Sequence, residues 1–223
     1  MVTNDRQRAI EDHLHEKWKR WIEQVYAETV TLFSYRSYYR GVGEITRGNP
    51  NVPPSSFFTA FGTWYVTTQV IAVRRQIDLD PQSVSLARLL SNMRDNSGVM
   101  SRVRFGAMSG PEEHWQQRAH QTYDKFAGRG ADAISADRYQ ADLDELQTLT
   151  APIKKYVDRV VAHTDQRELT ELPTYEDLNA ALELLGWMLN KYMVLLKDTS
   201  VPSADPVHQA DWKAAFTVPW LQT

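Results

Sequence analysis

The sequence predicts an all-α protein, a helical bundle with an irregular middle. Three observations carry this. Apolar residues recur at three- and four-residue steps over long stretches, which is the period of one helical face. Glycine and proline clusters separate those stretches. The β-branched run Val66-Thr67-Thr68 imitates a strand, but it sits among aromatics at helical spacing.

The elements follow in order. Residues 6–39 read as one long helix, with Leu14, Trp18, Trp21, Ile22, Val25, Tyr26 and Leu32 or Phe33 on one face. Gly41, Gly43, Gly48, Asn49, Pro50, Pro53 and Pro54 then predict its end. Ser55 or Ser56 caps a second helix over residues 56–76. It is crowded with Phe57, Phe58, Phe61, Trp64, Tyr65 and Ile71 and carries no charge before Arg74. That composition predicts burial on more than one side, hence a central helix. Asp80 and Pro81 suit the start of a short third helix, with Leu86, Leu89, Leu90 and Met93 as its apolar face. Residues 96–111 hold three glycines and three serines and read as an exposed loop.

A polar fourth helix covers residues 112–126, ended by Gly128 and Gly130. A fifth starts at Ser135 or Asp137 and runs to about residue 163, with Pro152 expected to kink or divide it near Ala151. Asp137, Asp142, Asp144 and Glu145 read as one solvated face of it. Thr174 and Asp177 resemble a capping box, with Asp in place of Glu or Gln. The sixth helix then presents Leu178, Leu182, Leu185, Leu189, Tyr192 and Leu196. Trp212, Phe216 and Trp220 suggest that the tail, residues 199–223, docks on the bundle. No composition shift divides the chain, so residues 1–223 read as one domain, with residues 1–54 its long first helix and loop.

Composition excludes several classes. Apolar residues make up 42% of the 223, which rules out wholesale disorder. The absence of cysteine excludes disulfide scaffolds, thiol catalysis and Cys-ligated metal clusters. A net charge of −3 argues against a dedicated non-specific nucleic-acid binder. No apolar run approaches a membrane span, and the charged N-terminal segment lacks a signal core, so a cytoplasmic protein without membrane contact is expected.

Two constellations carry candidate chemistry. In Lys154-Lys155-Tyr156-Val157-Asp158-Arg159-Val160-Val161-Ala162-His163-Thr164-Asp165, Arg159 and His163 lie four apart on one helical face. A guanidinium can hold a phosphate bidentately while an imidazole moves a proton, with Asp165 orienting the ring. The same residues can equally complement the dipole of a helix end. In Arg74-Arg75-Gln76-Ile77-Asp78, Arg75 and Asp78 are expected to pair. That cluster can fix a corner between helices or wall an anion site. His13, His15 and Glu16 lack the spacing of metal ligands, and His114 and His120 read as solvated; no metal or cofactor is expected. Tyr38, Tyr39, Phe57 and Phe58 are read as core rather than as a base-stacking platform.

These constellations, in this order in an all-α chain, resemble the AbiU2-like branch of the HEPN superfamily. Residues 73–78 with 83–90, residues 156–165, residues 173–196 and the closing segment 211–220 carry the likeness, which covers the chain from about Ser55 onward. The resemblance implies a bundle of about four core helices, a homodimer, and a toxin or phage-defence effector that cuts RNA without a metal. The family motif is an Arg, four to six residues, then a His near a helix end, two motifs of a dimer forming one site. His163 matches the histidine. Arg159 has only three residues between it and His163, and the positions with the family spacing hold Asp158, Val157 and Tyr156.

Two functions therefore stand at this point. One is a metal-independent endoribonuclease or toxin, possible in the toxin–antitoxin context of abortive infection, with His163 as general acid/base and Arg159 against the phosphorane. Arg74 and Arg75 would orient the RNA backbone if they reach the same cleft, and an antitoxin would be the partner. The other is a non-catalytic HEPN-like module that binds RNA or protein. A small-molecule or metal enzyme has no ligand fingerprint in its favour.

Overall fold

The computed structural model describes residues 2–53, 55–161, 171–201, 206, 208 and 210–218. Among these the chain forms α1 (Val2–Thr46), α2 (Ser56–Gln76), α3 (Leu86–Asp95), α4 (Arg102–Met108), α5 (Glu113–Ala127), α6 (Ala136–Tyr156) and α7 (Tyr175–Lys197). A π-helical turn, Val157–Val161, continues α6, and a 3-10 turn, Trp212–Phe216, lies in the tail. The all-α class is as the periodicity predicts.

Four helices close a ring: α1 packs on α2, α2 on α6, α6 on α7, and α7 back on α1. α7 supplies its centre. Leu178, Leu182, Leu185, Leu189, Tyr192 and Leu196, the predicted stripe, are all buried, and Ala181, Met188 and Leu195 widen it. α7 begins with a complete capping box: Thr174 Oγ1 accepts from Asp177 N at 3.1 Å, and Asp177 Oδ2 accepts from Thr174 N at 2.8 Å. A shorter Asp can replace Glu because this second bond needs only one carboxylate oxygen within reach. α3 packs on α6 and α1 through Leu86, Leu89, Leu90 and Met93, each fully buried. Each such side chain contributes about 1.5–3 kcal/mol of hydrophobic stabilisation.

Several expectations are corrected. α1 does not stop at Tyr39; it continues through Gly41 and Gly43 to Thr46 and ends before Gly48, whose φ is +74°. Gly41 is there for a close approach, since a Cβ on it would stand 2.5 Å from Cζ2 of Trp212. The third helix starts at Leu86, not Pro81. Asp80 makes a turn by accepting from Gln82 N at 2.8 Å, while Ser85 caps α3 by accepting from Arg88 N at 3.0 Å. The buried face needs its helix only from Leu86 onward. Residues 96–111 contain α4, capped by Ser101 and anchored by buried Phe105. Its glycines mask a helix only two turns long.

Pro152 does not divide α6, which runs on to Tyr156. The carbonyl that Pro152 leaves without a donor is that of Thr148, on an exposed part of the helix where water can serve. Asp142 is buried rather than solvated, accepting from Lys191 Nζ at 2.6 Å and Tyr192 Oη at 2.5 Å. The centre of the bundle is α7 and not α2: Tyr65, Gln69, Val70, Val73 and Gln76 are buried, but Phe57 and Trp64 are more than half exposed. Tyr38 is likewise exposed rather than core.

The described part of the tail lies along α1. His208 Nε2 is 2.9 Å from Ser37 Oγ, and its ring packs on Tyr38 with centroids 4.7 Å apart. Trp212 meets Tyr38 edge-on at 5.2 Å.

Candidate functional site

The end of α2 and the end of α6 frame an open cleft of about 800 Å³. Arg74, Ile77, Asp78, Leu79 and Asp80 line one side; Gln147, Ala151, Lys154, Lys155, Asp158 and Arg159 line the other. The two motifs that the sequence holds more than eighty positions apart thus meet, because α2 packs on α6 and on the π turn.

The π turn sets the geometry on the α6 side. Val157, Val160 and Val161 are β-branched and weak helix formers, so α-helical winding gives way easily there. Val157 N, where α6 passes into the π turn, is shared between the carbonyls of Ile153 and Lys154. Val157 is buried and anchors the turn, while Asp158 and Arg159 project from it into the cleft. Such wide turns recur at functional positions.

Asp158 is the hub. Its Oδ1 accepts from Arg74 Nε at 2.7 Å and its Oδ2 from Lys154 Nζ at 2.5 Å. Arg74 also approaches Asp78, Nη1 to Oδ1, at 3.7 Å. Burial acts to raise the Asp158 carboxyl. The hydrogen bonds from Lys154 and Arg74, with their charges, outweigh it and hold the pKa below the usual carboxylate value. Among the described residues, Lys155 and Arg159 have no ion pair. The cleft therefore combines four mutually paired charges, Arg74 and Lys154 against Asp158 and Asp78, with two cations open to an anion.

Arg75 does not join this site. It leaves the cleft for α1, where Nη2 donates to Glu28 Oε1 at 2.7 Å, and Gln76 Nε2 donates to the other oxygen of the same carboxylate at 2.7 Å. The expected Arg75–Asp78 pair is thus replaced by Arg74–Asp78, because the helix ends at Gln76 and residues four apart share its last face. His163 and Asp165 lie outside the described residues. Lys154, Lys155 and Asp158 carry no expected role in the sequence motif. The signal that singles them out is the repeat of Lys154 with Asp158 and Lys155 with Arg159 at four-residue spacing on one face of α6.

The remaining candidates fall elsewhere. His15 is buried among α1 and α7, its pKa lowered first by burial and then by the charge of Arg104. His114 and His120 are exposed on α5. Among the described residues no three His, Asp or Glu side chains are gathered as a metal site would need, and no helix is long and apolar enough to cross a membrane.

No curated protein and no solved structure matches the chain. A family model does: AbiU2, an abortive-infection-related HEPN family, matches residues 15–215. The match takes in α1 from residue 15 onward and continues from α2 into the 3-10 turn, so it reaches further toward the N-terminus than the motifs do. It spans both motifs of the cleft and the all-α architecture around them, and the chain therefore belongs to the AbiU2 family of HEPN proteins.

Proposed function

We propose that the chain is a metal-independent endoribonuclease, a toxin-like effector of phage defence acting in the cytoplasm as a homodimer. The observation that carries this reading is that Arg74 lines the same cleft as Arg159, four residues before His163 on the continuing chain. Arg159 and Lys155 would hold the scissile phosphate, and Arg74 with Lys154 the neighbouring backbone once RNA competes for them. His163 would take the proton of the ribose 2′-hydroxyl as its oxygen attacks phosphorus. The P–O5′ bond breaks, and the 5′ oxygen leaves with a proton, giving a 2′,3′-cyclic phosphate and a free 5′-hydroxyl. Arg159 would stabilise the charge that grows on the phosphorane. An antitoxin chain is the partner this activity calls for.

A second reading, a non-catalytic RNA- or protein-binding module, is favoured by one observation. Asp158 occupies a position where the family spacing wants arginine, and it engages two of the cleft's cations. Cleavage of structured and unstructured RNA by the purified protein, with a chelator present, separates the two. The nuclease reading expects wild-type cleavage that His163→Ala abolishes; no cleavage by the wild type, or equal cleavage by the variant, contradicts it.

A further inference from the structure

The seam between α1 and α3 holds two cations that no carboxylate answers. α1 packs on α3 there, and Trp18 Nε1 donates across the seam to Asn92 Oδ1 at 2.7 Å. Lys17 precedes Trp18, and Arg88 lies one helical turn before Asn92 on the same face of α3. Every carboxylate of α1 between residues 11 and 28 is engaged elsewhere. Arg104 holds Glu11 and Asp12, Lys19 holds Glu16, Lys197 holds Glu23 and Arg75 holds Glu28. The Lys17 ammonium rests over the Trp21 ring, 4.3 Å from its centroid. Burial lowers its pKa first and the charge of Arg88 second, so the two cations feel each other across the seam. Arg88 Nε is buried and has no acceptor among the described residues. A buried guanidinium N–H is ordinarily paired, because an unmet one keeps its full desolvation cost.

We propose that this seam binds a phosphate group, with the Arg88 guanidinium, the Lys17 ammonium and the Asn92 side-chain amide as its donors. The set consists of donors alone: Asn92 Oδ1 is committed to Trp18, which leaves the amide N–H groups for a ligand. Its complement is a group with several acceptor oxygens and negative charge. A guanidinium fork takes two oxygens of a tetrahedral phosphate, and an ammonium from the facing helix answers a third. The phosphate has two sources. One is inorganic phosphate or a small phosphate ester. The other is the backbone of an RNA strand that runs on from the cleft. Ser85 joins the two places, since its Oγ donates to the carbonyl of Asp78 on the cleft wall and accepts from Arg88 N at 3.0 Å. Only the second source rests on the nuclease reading.

Nε–Hε NMR spectra of the full chain, isotope-labelled in arginine, test this without reading cleavage. The Arg88 signal is the one missing from Arg88→Lys. Inorganic phosphate is titrated against chloride at constant ionic strength. The Arg88 signal is expected to shift saturably, and Lys17→Gln to weaken the apparent affinity roughly tenfold. Replacing Lys155 and Arg159 by Gln, which strips the cleft of its open cations, is expected to leave the phosphate-driven shift in place. A short single-stranded RNA, 2′-O-methylated against cleavage, forms the second arm. A shift with inorganic phosphate assigns the small anion; a shift with the RNA alone assigns the backbone. No shift with either overturns the proposal. So does a shift that chloride reproduces, that Lys17→Gln leaves unaltered, or that inorganic phosphate loses when the cleft cations are replaced. Arg88→Met keeps the apolar stem and removes the unmet donor, so without phosphate it is expected to melt no lower than wild type. A clearly lower melting temperature would make Arg88 a structural residue and overturn the assignment.

Discussion

Asp158 decides how the cleft behaves at neutral pH. Its carboxylate holds Arg74 across the α2–α6 corner and Lys154 along α6, at 2.7 and 2.5 Å. Because its folded pKa lies below the unfolded value, the pairing stabilises the fold above the ordinary carboxylate range near pH 4 and loses that contribution as pH falls through the lowered value. Asp158→Asn is therefore expected to be less stable than wild type in urea titrations at pH 7. The difference should vanish at strongly acidic pH; one that persists there would mean that the charge pairing is not its cause. The same variant frees two cations for phosphate, so RNA binding should tighten and its salt dependence steepen by roughly 0.7 in log–log slope per added phosphate contact. The sequence shows both charged clusters and the four-residue spacing of Lys154 and Asp158. It does not show that Arg74 and Asp158 touch, because that depends on α2 packing against α6, a relation without local periodicity. Asp142 is missed for the same reason, since its partners Lys191 and Tyr192 come from α7.

At the scale of elements, caps and apolar stripes were legible and tertiary compensation was not. Ser55, the start of α2 and the Thr174–Asp177 capping box follow from side chains that bond their own backbone neighbours. Thr174→Ala is accordingly expected to lower stability by about 1 kcal/mol, measured by chemical denaturation. Gly41 reads as a helix stop from composition, yet it sits inside α1 because Trp212 packs over it. Gly41→Ala separates the two effects. Alanine favours the helix by about 1 kcal/mol over glycine. Its Cβ would stand 2.5 Å from the Trp212 ring, so the tail must move. The expected outcome is faster proteolysis within the tail with no loss of global melting temperature. Unchanged tail proteolysis would show that Trp212 does not need this approach. Pro152 is the converse case: a breaker by rule, it is carried on an exposed face where its missing hydrogen bond matters least.

At the scale of the molecule, four helices in a ring bury the apolar stripe of α7, and the ring leaves two features outward: a charged cleft where α2 and α6 end, and a charge-free stripe along the rest of α2. The all-α class and family were readable from short motifs. The outward stripe was not, because aromatics at helical spacing look the same in sequence whether they face a core or the outside of the bundle. Charge divides α2 at one point, between Val73 and Arg74, and the two surfaces adjoin there. The cleft's chemistry carries the account, and the most direct measurement is RNA cleavage by wild type, His163→Ala and Arg159→Ala with chelator present. Wild-type cleavage that ends in a 2′,3′-cyclic phosphate, lost in the histidine variant and strongly reduced in the arginine variant, is the predicted result. Wild-type inactivity, or cleavage indifferent to His163, would contradict it.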